Sequence, residues 1–492
     1  MTLYPVRFVS NPLSDDGLRH RAKGIPPAEV HLAEQTAGSK KFTWQEVAEH
    51  NSRESMWVII KDKVYDLTSW VDSHPGGSEM LLLMAGRDAT EAFASYHPFT
   101  DKPRKIMPKF EIGTLVSREF PPYKSDESGF YREICERVGK YFTDNKLEPK
   151  CVVPGIWRMV LVVAVAVPSF LAAFGFWAAV PLPLRFLMAL IFGCCQALPL
   201  LHVMHDSSHT SFGRNAAWHS MGGRLFMDFY AGANLTSWHY QHVVGHHVYT
   251  NVYGADPDLP EFQEGDARRI VARQKWSSMY KYQHIYMPVL YGLLAFKFRL
   301  EELTGTFIGK TNGPVRVNPI SAYRWTEMVA SKVFWLFWRV AIPYMFFEDV
   351  EGPITFAALF TVVEFATGYY LSINFQVSHV STECTFPMGD KPAEAIEEEW
   401  AVSQVKSCVD YAHGSHLVTF LSGALNYQIV HHLFPGVSQY HYPAIAPIVR
   451  EVCKEYDVKY MHMDTFWEAF RKHLAYLKRM GEEGIPAEMH MG

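Results

Sequence analysis

Three clusters of histidine could do chemistry in this chain: His205-Asp-Ser-Ser-His209, His242-Val-Val-Gly-His246-His247 and Gln428-Ile-Val-His431-His432. Neutral imidazole is the commonest metal ligand among side chains. On a helix, residues four apart share a face, so His205 pairs with His209 and His242 with His246, while adjacent histidines diverge by about 100°. Pairs of this kind can serve two neighbouring metal ions. One His-x-x-x-His arises easily by chance, but three clusters, each close to a hydrophobic segment, argue against a set of solvated or core histidines. All-nitrogen ligation suits iron, copper, zinc or nickel, and spacing does not choose among them.

The elements that position the clusters are apolar and long. Val160 to Ala179 carries no charge, and Phe186 to Met204 follows after a turn at Pro181 and Pro183. About 20 apolar residues cross a bilayer core, so these segments predict a spanning hairpin. Val333 to Phe347, which carries Arg339, and Ile354 to Phe375 predict a second hairpin around the acidic loop Glu348, Asp349, Glu351. The segment between the hairpins holds Arg214, Arg224, Arg268, Arg269, Arg273, Lys275 and Lys281, and this excess of basic residues assigns it to the cytosol. All three clusters then emerge on the cytosolic face. His284 to Phe298 is apolar but short and reads as an interfacial helix. A fifth span there would put the third cluster opposite the other two. Arg339 and Glu364 fall at similar depth and are expected to pair, because an unpaired intramembrane charge is costly. Asn234-Leu-Thr236 fits a glycosylation sequon, but this topology keeps it away from the lumen.

Composition narrows the classes further. A formal net charge of -5 gives no nucleic-acid signature. The seven cysteines, single except for Cys194 and Cys195, indicate neither a disulfide framework nor a Cys-x-x-Cys site. Residues 1–40 hold no apolar run fit for a secretory signal and read as a polar, poorly ordered leader.

The segment from about Phe42 to Leu115 reads as a small soluble module. Trp57 to Asp66 suggests two short strands across a turn at Asp62 and Lys63. His74-Pro-Gly-Gly77 follows, with a second histidine 23 residues later at His97. This pattern resembles the haem-binding core of cytochrome b5. The resemblance implies that His74 and His97 ligate haem iron from opposite sides, an arrangement suited to electron transfer.

The fused arrangement, from about residue 42 to about 460, resembles the front-end fatty acyl desaturases. His205-Asp206-x-x-His209, Gln241-His242-Val-Val-Gly-His246-His247 and Asn426-Tyr-Gln428-Ile-Val-His431-His432 look like that family's three boxes, with glutamine in the third. The expected fold is a small α+β cytochrome b5-like haem domain (41–116), a linker with an amphipathic segment (117–155), and an all-α polytopic membrane domain (156–460). That membrane domain would have four spanning helices and a cytosolic histidine-rich diiron cap, followed by a cytosolic C-terminal tail (461–492). The resemblance implies two non-haem irons held by His205, His209, His242, His246, His247, His431 and His432, with Gln428 as a further position and His379, just past the fourth span, completing the set. Asp206 is expected to accept the free N–H of a ligating histidine. His202 and His239 are assigned packing or supporting roles, and His413 and His416 the surface.

The implied reaction is O2-dependent removal of two hydrogens from adjacent methylenes of a buried acyl chain. Electrons would come from NADH through a separate NADH-cytochrome b5 reductase to the chain's own haem b. The expected substrate is a long-chain polyunsaturated acyl-CoA or acyl-phospholipid, and the expected location the endoplasmic reticulum membrane with both termini and the site facing the cytosol. The stretch Gln241 to Asn251, Ala255-Asp-Pro-Asp258 and Tyr282 to Lys297 most resemble Δ5 members acting on C20 chains; Δ4, Δ6 and Δ8 enzymes and sphingolipid long-chain-base desaturases are the alternatives. A membrane hydroxylase is a related reading that the Gln428 box disfavours. A membrane-anchored haem electron carrier would need only His74 and His97 and leaves the three clusters unexplained.

Overall fold

The computed structural model describes residues 40–177, 180–260, 266–347 and 352–484. The expected leader, apart from residue 40, and the acidic loop Glu348, Asp349, Glu351 lie outside the described residues.

Five short strands open the chain: β1 Lys41–Phe42, β2 Trp57–Ile60, β3 Lys63–Asp66, β4 Arg87–Asp88 and β5 Glu111–Leu115, in the order β1-β5-β3-β2-β4. The β2–β3 hairpin turns at Lys61 and Asp62, one residue earlier than expected, with Lys61 in the left-handed region (φ 58°). Successive side chains on a strand face opposite ways. Ile59 and Val64 pair toward Phe42 and Val47, while Val58 and Tyr65 pair toward Leu67, Val71, Leu83 and Phe110. The second of these cores does not stop at the module's edge. It runs on into Tyr240, Val244, Val248, Val315 and Val317, so the N-terminal module is packed onto the segment carrying the second histidine cluster. Polar contacts lock the same seam: Glu79 pairs with Arg224 and, at 2.9 Å, with Arg324, and Arg87 donates to Asn318 at 2.8 Å.

Among the described residues, three helices are long and apolar enough to cross a membrane: Val153–Ala173, Leu182–Ser208 and Gly352–His379. The first starts earlier than its apolar run, at Val153, with Pro154 in its first turn, and stops before Gly175, whose φ of +80° breaks the helix. The expected third span lies in a helix from Ala322 to Met345 that contains a π-helical turn at Phe337–Ala341. Arg324, Glu327, Lys332 and Arg339 on that helix keep it outside the apolar set, so three of the four expected spans meet the criterion of length and composition. Arg339 and Glu364 meet at 3.4 Å with no solvent exposure, as expected.

Gln283–Leu290 and Leu294–Glu301 are two short helices joined at Tyr291–Leu293 and laid against Gly352–His379. The approach is close: a Cβ on Gly368 would lie 2.3 Å from the Gly292 carbonyl oxygen. The amphipathic helix Phe130–Asp144 buries Phe130, Ile134, Val138 and Phe142. These pack with Ile445, Val449 and Val452 of helix Tyr442–Glu455 and with Leu433 and Phe434, which follow the third cluster. Residues 461–492 include helix Phe466–Glu482, whose Tyr476, Leu477 and Met480 are buried. Asn234 is buried and caps helix Leu235–Trp238 through Thr236 N–H, which occupies the sequon's side chain.

Candidate metal centres

Unusual helical winding brings the clusters together. A π-helical turn at Leu200–Met204 leads into His205–Ser208, and His239–His246 is π-helical throughout. Such turns are rare and concentrate at functional sites. In the second cluster, His247 N–H donates to the carbonyl of His242 at 3.0 Å, a five-residue step. His242 and His246 share a face as the spacing predicts, their rings stacked 5.6 Å apart, and the wider winding adds His247 to that face. His242 and His247 bring their Nε2 atoms within 3.2 Å. The third cluster sits on helix Gln428–Leu433, and His379 is the last residue of helix Gly352–His379.

Two groups result. His205, His209, His242 and His431 form one, and His246, His379 and His432 the other, each with potential ligand atoms within 4.8 Å of one another. His247 meets the same limit with both His431 and His432 and so stands between the groups. Gln428 Nε2 lies 2.8 Å from His379 Nε2 and 3.2 Å from His432 Nε2. All eight histidines and Gln428 are buried.

Four of the outward nitrogens are tied down, whereas His205 Nδ1 and His247 Nδ1 have no hydrogen-bond partner among the described residues. His246 Nδ1 faces Asp256 Oδ2 at 3.1 Å, His432 Nδ1 faces Gln404 Oε1 at 2.9 Å, His431 Nδ1 faces the Tyr442 hydroxyl at 3.1 Å, and His209 Nδ1 faces the Tyr96 hydroxyl at 2.8 Å. Contacts of this kind fix ring orientation and tautomer in metal sites. They leave His209 Nε2, His431 Nε2 and Gln428 Oε1 buried with no hydrogen-bond partner. Buried polar atoms are nearly always satisfied, so these orphans fit a bound metal. Burial holds the imidazoles of His209, His242, His247, His431 and His432 well below their ordinary range, keeping lone pairs free. His246 differs: burial alone would lower it, but the Asp256 and Asp258 carboxylates push it up to about 9.

Several supporting roles differ from the sequence reading. Asp206 accepts from Ser438 Oγ and Gln439 Nε2, both at 3.0 Å, rather than from a histidine of the clusters. Asp256 takes the position expected of it, ten residues after His246 with no spacing signal to reveal it. Gln404 and Tyr96 are equally invisible in sequence because they lie 28 and 113 residues from the histidines they hold, and Tyr442, 11 residues past His431, carries no spacing signal either. His202 is held by Gln439 and the Phe420 carbonyl, and His239 is buried; neither joins a metal-binding group among the described residues. His416 is exposed as expected, whereas His413 is half-buried, stacked on Tyr427 and bonded to Asp410.

In the N-terminal module, His74 and His97 face each other with ring centroids 6.3 Å apart. Their Nδ1 atoms lie 3.0 Å from the Gly77 carbonyl and 2.9 Å from the Phe93 carbonyl, which leaves each Nε2 for a ligand. Burial lowers both imidazoles, His97 to about 4. Gly77 adopts φ +92°, and a Cβ on Gly76 would lie 2.8 Å from the His74 ring, so the turn requires both glycines. Two neutral imidazoles aimed at one another fit an axial pair for haem iron.

Comparison with known proteins bears on both sites. The family model "Fatty acid desaturase" matches residues 181–464, and that for the cytochrome b5-like heme/steroid binding domain matches residues 43–116. The chain belongs to the fatty acid desaturase family. This desaturase is 41% identical over 456 residues to acyl-lipid (8-3)-desaturase B of Dictyostelium discoideum, covering 90% of this chain and 95% of that one. It is 41% identical over 455 residues to Delta(5) fatty acid desaturase A of the same organism, covering 90% and 94%. It is also 41% identical over 449 residues to acyl-lipid (8-3)-desaturase of Mortierella alpina, covering 91% and 98%. The resemblance read from the three boxes and from His-Pro-Gly-Gly holds, and the protein is an O2-dependent oxidoreductase with a fused cytochrome b5-like domain.

The desaturase has a cavity of about 710 Å³ that reaches His242, His246, His379 and Gln428. Its walls include Trp238, Leu293, Leu294, Phe298 and Phe375, with Arg268, Lys297 and Glu301 among its polar lining. That volume lies within the usual range for sites that enclose a small organic ligand.

Proposed function

We propose that this desaturase introduces a cis double bond at Δ5 of C20 polyunsaturated acyl chains. The single observation that carries the reading is the cavity ending on the two histidine groups, and the relative named as a Delta(5) fatty acid desaturase, at 41% identity, supports the position of the bond. His205, His209, His242, His246, His247, His379, His431 and His432 hold two irons. Gln428 is a neutral position beside them that ligates through Oε1 or orients water. His74 and His97 hold haem b.

Iron bound among these nitrogens supplies the oxidant that an unactivated methylene demands. The chain's own residues do the rest. Trp238, Leu294, Phe298 and Phe375 exclude water and align the acyl chain. Asp256, Gln404 and Tyr442 keep ring protons on Nδ1, so that Nε2 faces the centre. The fused domain, docked through Tyr240, Val244 and Val248, serves as the immediate electron donor, and NADH acts through a separate reductase.

The membrane arrangement has four spans, with helix Ala322 to Met345 as the third. Its Arg339 is neutralised inside the bundle by Glu364 rather than exposed to lipid. The helices Gln283–Leu290 and Leu294–Glu301 lie at the membrane surface, where exposed Ile285, Val289 and Leu300 meet lipid. The site faces the cytosol from the endoplasmic reticulum membrane, and the acyl carrier is CoA or a phospholipid.

Expression in a yeast lacking long polyunsaturated acids tests the reading. Cells are fed separately with dihomo-γ-linolenic, linoleic and docosapentaenoic acid, and methyl esters are analysed by gas chromatography. Conversion of the first alone is expected. Conversion of another moves the bond position, and no product from any, in cells with haem-loaded protein, would overturn the acyl substrate class.

A further inference from the structure

Tyr96 ends helix Thr90–Tyr96 and directly precedes His97 in the chain. Its hydroxyl oxygen lies 2.8 Å from Nδ1 of His209, and the two rings are nearly parallel, 23° apart in plane, with centroids separated by 6.4 Å. The opposite nitrogen of His209, Nε2, is among the buried atoms without a partner. Among the described residues, no other hydrogen bond joins the N-terminal module to a histidine of the three clusters. Phe99 anchors the same turn by stacking on Phe434 at 5.7 Å, two residues past His432.

We propose that Tyr96 is the bridge across which electrons pass from the haem domain to the non-haem iron site. This rests on the functional reading above, which assigns haem to His74 and His97 and iron to the histidine clusters. Electron tunnelling decays less steeply along covalent and hydrogen bonds than across a van der Waals gap. From His97, one peptide link reaches Tyr96, and one hydrogen bond reaches His209. Each passage moves one electron, oxidising Fe(II) to Fe(III) at the His74/His97 site and reducing Fe(III) to Fe(II) at the site containing His209. No bond forms or breaks, and Tyr96 gains and loses no proton. Two passages and two protons from solvent, with the two hydrogens removed from the acyl chain, balance the reduction of one O2 to two waters. A reduced flavoprotein supplies the electrons.

A neighbour that holds the far nitrogen of a ligating histidine typically changes metal affinity or activity by about 10- to 100-fold when altered. The test must therefore separate electron delivery from simple support of His209. Full-length enzyme carrying haem and non-haem iron is reduced by either of two routes: through NADH and a cytochrome b5 reductase, or by a small viologen mediator that reaches the non-haem site directly. Haem reoxidation is followed at the Soret band by stopped flow after mixing with O2 and acyl substrate. Tyr96→Phe keeps the ring and loses the hydrogen bond. Loaded with excess Fe(II) so that its haem and iron contents equal those of the unsubstituted enzyme, this variant should reoxidise its haem about 10-fold more slowly, and the ratio of reductase-driven to mediator-driven turnover should fall by a similar factor. Tyr96→Leu should lower that ratio further. Equal loss by both routes would mean that Tyr96 only supports His209 and would overturn the bridge, as would an unchanged reoxidation rate. If the unsubstituted enzyme's haem reoxidation shows no dependence on acyl substrate or non-haem iron, the functional reading itself has failed.

Discussion

Arg339 and Glu364 meet at 3.4 Å with neither side chain exposed, but Glu364 is shared: Arg299 reaches its other oxygen at 2.6 Å. One buried carboxylate thus holds two guanidinium groups together. Arg339 also bonds Gln196 and lies 5.0 to 5.2 Å from the ring centres of Phe174, Phe192 and Phe360, where aromatic faces favour a cation.

The sharing makes the two substitutions unequal. Glu364→Gln leaves two buried cations facing each other and should cost about 3–5 kcal/mol, the usual loss when a buried pair is broken from one side. Arg339→Gln leaves the Arg299 pair intact and should cost less. The double variant should be more stable than the sum of the single effects allows. Thermal unfolding of the three variants in lipid nanodiscs measures this, and additive losses would show that the groups do not interact.

The Arg339–Glu364 contact was legible because the two charges stand at similar distance from one loop, and depth alone pairs them. The haem turn was legible for a different reason: His-Pro-Gly-Gly encodes its own geometry, with Gly76 and Gly77 irreplaceable beside His74. The second cluster was legible only in part: the shared face of His242 and His246 follows from the spacing, but the addition of His247 does not, because the spacing assumes 3.6 residues per turn. Between His239 and His246 the winding is wider, so His242 pairs with His247 and His246 goes to the other group. Nothing local announces that change. The charges that disqualify Ala322 to Met345 as a plainly apolar helix are visible in sequence, but their neutralisation depends on contacts from other helices.

Asp256 is a case where contact geometry makes a prediction that spacing cannot. Its carboxylate faces His246 Nδ1 and also accepts the backbone N–H groups of Asn251 and Asp258. Asp256→Asn keeps the shape and removes the charge that makes His246 a better donor. Non-haem iron affinity should fall about 10- to 100-fold. Metal analysis after graded chelator dialysis would measure it, with the haem spectrum unchanged because Asp256 lies outside the N-terminal module.

The two metal sites should be separable by mutation. His74→Ala removes one of the two proposed haem ligands and should abolish the b-type haem spectrum and reductase-driven turnover while non-haem iron stays bound. His246→Ala should do the reverse, lowering non-haem iron while the haem spectrum persists. Pyridine haemochrome assay and elemental iron analysis on both variants decide the matter, and parallel loss of both metals in either variant would point to misfolding.

The cavity itself can be challenged by filling it. Leu294 lines it from helix Leu294–Glu301, beside Phe298, and is only partly buried by protein. If the acyl chain lies there, Leu294→Trp adds bulk in the path of the substrate without touching a histidine of either group. Overpacking in a tight core typically costs about 1–3 kcal/mol, but at a cavity wall the added ring has open space to occupy, so the folded state should tolerate it. Haem and iron contents should then remain normal while conversion of C20 substrate falls at least tenfold. Shorter acyl chains should lose less, because less of their length competes with the new ring. Product profiles from yeast fed a series of chain lengths would show this, and equal loss at every length would place the chain elsewhere than along Leu294.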